Sequence, residues 1–62
     1  MDPENDRWAR IGDARAKLRD LVDEVTQDDA HVYLLRYDKP VAVIVPVGWY
    51  EEVRAKVEER GR

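Results

Sequence analysis

Residues 31–46 read HVYLLRYDKPVAVIVP and contain two runs that favour β-strands. The runs, 31–36 and 41–46, are joined by residues 37–40, where aspartate and proline both favour turns. A connection this short can only return the chain antiparallel, so the stretch predicts a β-hairpin. The second run is almost continuously apolar, which predicts a strand buried on both faces. Pro46 is expected to end that strand because proline cannot donate to the ladder.

An amphipathic helix is predicted before the hairpin, over residues 13–27, with Gly12 as its N-cap. Its apolar positions, which share one face of a 3.6-residue helix, are Ala14, Leu18, Leu21, Val22 and Val25. A short edge strand is predicted at 7–11, and a second helix with a weaker apolar stripe is predicted to begin near Gly48. The order β-α-β-β-α predicts one small α+β domain, with a disordered tail at residues 1–6.

The chain has 62 residues and no cysteine. A chain of this length buries only about 60% of its unfolded surface, so its core is usually marginal without further support. No disulfide and no thiolate metal site can form, and the single histidine cannot build a zinc site alone. A second subunit is the remaining source of stability, so we expect a homodimer.

The inventory of side chains argues against catalysis. The sequence has neither serine nor cysteine, its one threonine is Thr26, and its glycines form no phosphate-binding loop. His31 is expected to be a surface histidine. We therefore expect a non-enzyme without cofactor, metal or small-molecule substrate. Because the sequence has no long apolar run and no secretory signal, we also expect a cytoplasmic protein without a membrane partner.

The net charge is −3, but the sign of the charge changes along the chain. Residues 7–19 carry five basic side chains against Asp13 alone, whereas residues 20–31 carry five acidic side chains and no lysine or arginine. Charges further apart than a Debye length of about 8 Å are largely screened, so the local balance matters more than the total. The pattern predicts a polarised surface, although a solvated helix face is the commoner origin of such charge runs.

Two stretches together resemble the Phd/YefM family of antitoxins. Residues 11–25, IGDARAKLRDLVDEV, follow that family's pattern of a short strand, a small residue, an acid, Ala-Arg and leucines at helical spacing. Residues 32–46 resemble its hairpin, and residues 48–53 resemble the start of its next helix. The resemblance covers residues 8–55. It implies a two-fold homodimer with a shared antiparallel sheet, which binds operator DNA, represses its own operon and neutralises a cognate toxin protein.

The resemblance also implies which side chains contact DNA. Arg15 matches the family's Ala-Arg arginine, Arg36 matches its hairpin arginine, and Arg10 lies in the lead-in to the helix. Arginine binds phosphate or guanine bidentately, whereas lysine contacts phosphate without reading sequence. The predicted DNA-binding residues are Arg10, Arg15, Lys17, Arg19 and Arg36, with Arg7 as a further phosphate contact.

Ordinary ion pairs are the alternative to DNA contacts for two of these residues. Arg36 could pair with Asp38 or Glu24. Arg19 could pair with Asp23, one helical turn further along.

The sequence departs from the family pattern in three places. Gly12 replaces a serine or threonine cap, Arg10 stands where a small hydroxyl residue is common, and few residues follow Trp49. Relatives bind toxin through a long C-terminal segment, so either the chain is cut short or its last helix, residues 51–62, is the toxin-binding element. The candidate toxin contacts are Trp49, Tyr50, Val53 and Val57, of which Trp49 and Tyr50 are also expected as core or dimer contacts.

The predicted organisation is a tail at 1–6, a dimerisation and DNA-binding domain at 7–48, and a C-terminal helix at 49–62 as the candidate start of a toxin-binding segment. Two other functions stay open. One is a protein-interaction module that dimerises and binds a toxin without significant DNA binding, which the acidic segments favour. The other is a DNA-binding regulator with another swapped-dimer fold, such as an AbrB-like hairpin, which the helix before the hairpin argues against.

Overall fold

A computed structural model describes residues 5–60, and the side chains of residues 5–59. The chain forms a small α+β fold with a three-stranded sheet and three helices. The elements are β1 (Asp6–Arg10), α1 (Ile11–Ala16), α2 (Leu18–Asp28), β2 (His31–Arg36), β3 (Lys39–Ile44) and α3 (Val47–Arg60). The tail predicted at 1–6 lies outside the described residues except for Asn5 and for Asp6, which begins β1.

The sheet has the order β1-β2-β3, with β2 in the centre. β1 pairs with β2 in parallel, and β2 pairs with β3 antiparallel. The predicted hairpin is therefore confirmed, but the sheet within one chain is mixed. The physical reason is that α1 and α2 return the chain to the end of the sheet where β1 began, as parallel pairing requires.

The prediction of one unbroken helix over residues 13–27 is wrong. Helical structure begins at Ile11, with Arg10 rather than Gly12 in the N-cap position, and it is interrupted at Lys17 (φ −118°, ψ 23°). The N–H of Lys17 still donates to the carbonyl oxygen of Asp13 at 3.1 Å. The apolar spacing continues across the interruption, so the sequence pattern contains no sign of it.

One face of the sheet is covered by α1 and α2. Arg7 of β1 donates a hydrogen bond to Glu24 of α2 at 2.6 Å, so Arg7 and the alternate residue Ala9 face the helices. The hydrophobic core on this side is small. Its buried members are Ala14, Val25, Ala30 and Val32, and the largest fully buried side chain is that of Val32.

The opposite face carries no helical layer along most of its length. Trp8 stacks on Tyr33, with ring centroids 4.5 Å apart, yet Trp8 is 60% exposed. Val43, the register partner of Tyr33, is also exposed, and Leu35 follows on the same face by strand alternation. We call Trp8, Tyr33, Leu35 and Val43 the open sheet face.

The prediction that the second hairpin strand is buried on both faces is wrong. β3 is an edge strand, and its residues from Lys39 to Val43 are all exposed. It ends at Ile44, before Pro46, and it contains Pro40, which an edge strand tolerates beside a bulge. An apolar composition predicts burial within the chain, but residues 39–43 are exposed in the described part of the chain.

The hairpin turn is tighter than the predicted four-residue connection. Only Tyr37 and Asp38 separate the paired residues Arg36 and Lys39, and both have positive φ, 52° and 62°. Two successive residues in this region make a type I′ turn, which matches the right-handed twist of the flanking strands. Neither tyrosine nor aspartate is the residue that this conformation prefers, since glycine and asparagine adopt it most readily.

Substituting Asp38→Gly is therefore expected to raise the free energy of unfolding by about 0.5 kcal/mol, because glycine relieves the left-handed strain at little cost. Urea denaturation at one fixed protein concentration measures the change. The matched control is Asp23→Gly, inside α2, which should lower the stability by about 0.3 kcal/mol, because glycine is slightly less favourable than aspartate inside a helix. A lower stability for Asp38→Gly would contradict the assigned turn.

Candidate nucleic-acid interface

The parallel pairing of β1 with β2 collects basic side chains at one end of the sheet. Arg10 is the last residue of β1 and is the register partner of Leu35, so it lies beside Arg36 at the end of β2. Lys39 pairs with Arg36 across the hairpin. The carboxyl ends of two strands and the start of a third therefore bring Arg10, Arg36 and Lys39 together.

The two helices add basic residues at the same end. α1 starts directly after Arg10, and α2 runs back along β1, so that Glu24 lies beside Arg7 near the other end of that strand. The junction between the helices, which contains Lys17, is consequently on the side of Arg10. We call the following exposed residues the basic end: Arg10, Arg15, Lys17, Arg19, Arg36 and Lys39.

Most cations of the basic end have no acidic partner among residues 5–59. The exception is Arg10, whose guanidinium lies 3.6 Å from a carboxylate oxygen of Asp38, with both side chains more than 70% exposed. The alternative pairings of Arg36 and Arg19 are not formed. Asp38 pairs with Arg10 and Glu24 pairs with Arg7, and no ion pair of Arg19 occurs in this described part of the chain.

Lys39 is the one basic-end residue that the sequence did not single out. Its position follows from the two-residue turn, which places it directly opposite Arg36. The predicted four-residue connection assigned Lys39 to the loop instead. A two-residue turn predicted from the sequence would have placed Lys39 in β3, opposite Arg36.

Arg7 does not belong to the basic end, although the sequence suggested it as a phosphate contact. Its guanidinium bonds Glu24 at 2.6 Å and approaches Asp28 at 3.5 Å, which ties the amino end of β1 to the carboxyl end of α2. The side chain is only about one-third exposed, at 36%. Its charge is satisfied within the fold, so it is not available to phosphate.

The opposite end of the molecule is acidic. The final turns of α2 carry Asp23, Glu24 and Asp28, Asp29 follows them, and Asp6 begins β1 at the same end. Asp29 adopts a left-handed conformation (φ 54°) that ends α2 and turns the chain into β2. The basic and acidic segments, which follow each other in the sequence, thus lie at opposite ends of the described part of the chain.

The candidate toxin contacts lie on α3. Trp49 is half-buried and packs edge-to-face against His31, with ring centroids 4.7 Å apart. His31 is only 5% exposed, so its expected place on the surface is wrong. Tyr50, Val53 and Val57 are exposed, and their spacing of three and four residues puts them on one face of the helix.

Comparison of the chain with protein families, with curated proteins and with solved structures found no match. The helices of residues 5–60 include none that is both long enough and apolar enough to cross a membrane. Among the same residues, no group of three histidine or acidic side chains is arranged to hold a metal ion.

The structural role of Arg7 predicts that Arg7→Met lowers the free energy of unfolding by about 0.5–1 kcal/mol, the range for a partly exposed ion pair. A double-mutant cycle with Glu24→Gln should give a coupling energy of the same size. Arg15→Ala serves as the control, since it removes an exposed arginine that has no ion pair among the described residues. A coupling energy of zero would contradict this role of Arg7.

Proposed function

We propose that this chain is the antitoxin of a type II toxin–antitoxin pair: a cytoplasmic, non-enzymatic homodimer that binds its own operator DNA and a cognate toxin. The observation that carries the proposal is the basic end, where five of the six cations have no ion pair among residues 5–59. The motifs that resemble Phd/YefM antitoxins contain Arg10, Arg15, Lys17, Arg19 and Arg36. The parallel pairing of β1 with β2 supports the proposal, because it puts Arg10 beside the strand end that carries Arg36.

The local charge balance supports DNA binding despite the net negative charge of the chain. This end carries six basic residues and three acidic residues, which are Asp13, Asp20 and Asp38. The acidic end lies roughly the length of β1 away, about 16 Å for five residues, which is twice the Debye length at physiological salt. A DNA backbone at the basic end therefore experiences an attractive field, and the more distant carboxylates are largely screened.

Four of the six residues are assigned to two kinds of contact in this proposal. Lys17 and Lys39 carry point charges that neutralise phosphates, which contributes affinity without sequence information. Arg15 and Arg36 carry planar guanidinium groups that can bind guanine in the major groove bidentately. In a two-fold dimer each contact occurs twice, which fits an operator with a palindromic sequence.

The small core supports the proposed homodimer. Among the described residues, the buried hydrophobic core consists of Ala14, Val25, Ala30 and Val32, whereas Trp8, Val41 and Val43 are between 44% and 60% exposed. A second subunit that packs on these exposed side chains would remove them from water, and a stable interface buries about 800 Å² on each partner.

We assign the dimer contact to the open sheet face together with β3. This surface combines the stacked pair Trp8 and Tyr33 with a hydrophobic edge strand, and exposed edges of this kind pair readily with another chain. Pairing there through the apolar part of β3, from Val41 to Ile44, leaves Arg15 and Lys17 accessible, since they belong to the helical layer on the opposite face.

The proposed toxin contact is the exposed stripe of α3 formed by Tyr50, Val53 and Val57. An amphipathic helix that presents an apolar stripe suits binding in a hydrophobic groove of a partner protein. The second candidate function, a toxin-binding module without DNA affinity, draws on the same stripe and on the acidic end. The two functions differ only in what the basic end does.

Operator binding tests the proposal directly. The probe is a duplex containing the DNA upstream of the chain's own reading frame, and fluorescence anisotropy at several salt concentrations measures binding. Arg15→Ala should weaken binding about tenfold and reduce the preference for this duplex over one of scrambled sequence, because Arg15 is a proposed base contact. The same affinity as the unaltered protein would remove Arg15 from the interface.

The matched control is Lys56→Ala, which removes one exposed positive charge from α3, away from the basic end. It should leave both affinity and salt slope unchanged. An equal effect of the two substitutions would indicate non-specific attraction. No binding to the upstream duplex, combined with capture of the neighbouring reading frame's product on co-expression, would favour the module without DNA affinity.

The dimer contact predicts a second outcome. Val43→Lys places a charge at the centre of the open sheet face and should raise the dimer dissociation constant tenfold or more, because a buried lysine without a partner is costly. Sedimentation equilibrium measures the constant. Tyr37→Lys at the hairpin tip, where the side chain is 92% exposed, is the control and should leave the dimer intact. Equal behaviour of the two variants would place the contact elsewhere.

A further inference from the structure

A cavity of about 500 Å³ lies at the acidic end, between the start of β1, the end of α2 and the first turns of α3. This volume falls within the range of about 300–1000 Å³ typical of ligand-binding pockets. The residues that line it include the carboxylates of Asp6, Asp29 and Glu52 and the rings of His31 and Trp49. None of them belongs to the basic end.

Two of the residues that line the cavity have polar atoms without partners. Asp6 and His31 are register partners in the parallel pairing of β1 with β2, so their side chains lie next to each other on one face of the sheet. The Oδ1 atom of Asp6 is buried and has no hydrogen-bond partner among the described residues. The imidazole of His31, although only 5% exposed, also makes no hydrogen bond within that part of the chain.

A buried carboxylate oxygen without a donor is unfavourable, and the charge around it decides which donor suits it best. Asp29 and Glu52 add two further negative charges at the rim. Arg7, which follows Asp6 in β1, points to the other face of the sheet and is bonded to Glu24, and no described lysine or arginine side chain lines the cavity. The cavity therefore favours a donor that carries a positive charge.

Trp49 favours a guanidinium over an ammonium group as the bound cation. Its ring lines the cavity, where it also meets His31 edge-to-face. A planar guanidinium can stack on an indole while donating several hydrogen bonds to carboxylates, whereas an ammonium group is a compact and strongly hydrated point charge. The combination of one aromatic wall and three carboxylates thus fits arginine better than lysine.

We propose that this cavity binds the guanidinium group of an arginine side chain on a partner protein, with Asp6 and Glu52 as hydrogen-bond acceptors and Trp49 as the stacking surface. Free arginine adds an α-ammonium and an α-carboxylate to the guanidinium, whereas an arginine within a protein chain presents the guanidinium as its only charge. The inference rests on the proposed function in one respect, that the partner is the toxin.

The probe for this site is N-acetyl-L-arginine amide, which reproduces an arginine within a chain. Its neutral analogue N-acetyl-L-citrulline amide is the matched ligand control. NMR titration of the full chain, without DNA or toxin, should show saturable shifts of the Trp49 indole and the His31 imidazole with the arginine compound in the millimolar range. Trp8 lies outside the cavity and should not respond.

Two variants locate the binding. Glu52→Gln, an exposed substitution on α3, should weaken binding about tenfold because it removes a charge-assisted hydrogen bond, and Asp6→Asn should weaken it at least as much. Glu51→Gln is the matched control, since Glu51 is also exposed on α3 but does not line the cavity. An equal response to Glu52→Gln and Glu51→Gln, or shifts that do not saturate, would overturn the site.

The remaining outcomes separate this inference from the proposed function. Tighter binding of free L-arginine than of the blocked compound would overturn the assignment to a partner protein, because the cavity would then recognise an amino acid. Failure of the blocked arginine while the upstream duplex still binds would refute the cavity alone. Binding of the blocked arginine without any operator binding would support the site and count against the proposed function.

Discussion

The parallel pairing of β1 with β2 is the constraint on which the rest of the structure depends. Two parallel neighbours require a crossover, and here α1 and α2 provide it and cover one face of the sheet. The same pairing aligns the strand ends by charge. Arg10 and Arg36 meet at the carboxyl ends, whereas Asp6 and His31 meet at the amino ends. The two ends of the sheet therefore differ in charge because β1 and β2 run in the same direction, which puts their basic ends together and their acidic end beside His31.

The hydrophobic core is the second constraint, because so little of it lies inside one chain. Its buried side chains are those of alanine and valine, while Trp8 and the valines of β3 remain exposed. At about 25 cal/mol for each Å² of apolar surface, burying such residues is the main favourable term in folding. A chain that leaves Trp8 and the valines of β3 exposed would gain part of that free energy on association. This is why we propose the homodimer as part of the functional unit.

The sequence predicted those parts of the fold that depend on local patterns. The predicted strand at 31–36 coincides with β2, and the short connection after it correctly predicts the antiparallel hairpin. The parallel partner of β2 and the interruption at Lys17 were not predicted, because neither alters the periodicity of apolar residues. The apolar run of β3 predicts burial on both faces, but β3 is exposed. Composition cannot distinguish a strand that its own chain covers from a strand that a partner chain would cover. For the candidate site, the arginines of the basic end were named from motifs, whereas Lys39 and the cavity around Asp6 required the register of the strands.

The separation of the two ends has a consequence for how the proposed activities combine. The basic end and the acidic cavity lie at opposite ends of the same two strands, about 16 Å apart for five residues, so ligands at the two places neither overlap nor interact strongly through salt solution. Direct electrostatic coupling between DNA and an arginine in the cavity is therefore weak.

Coupling between the two ligands must then come from a shared structural element, because a ligand shifts an equilibrium only if it binds the two states of that element with unequal affinity. The proposed dimer would be such an element, since Tyr33 and Val43 of the open sheet face lie between the two ends. Strengthening of the dimer by either ligand would favour the other.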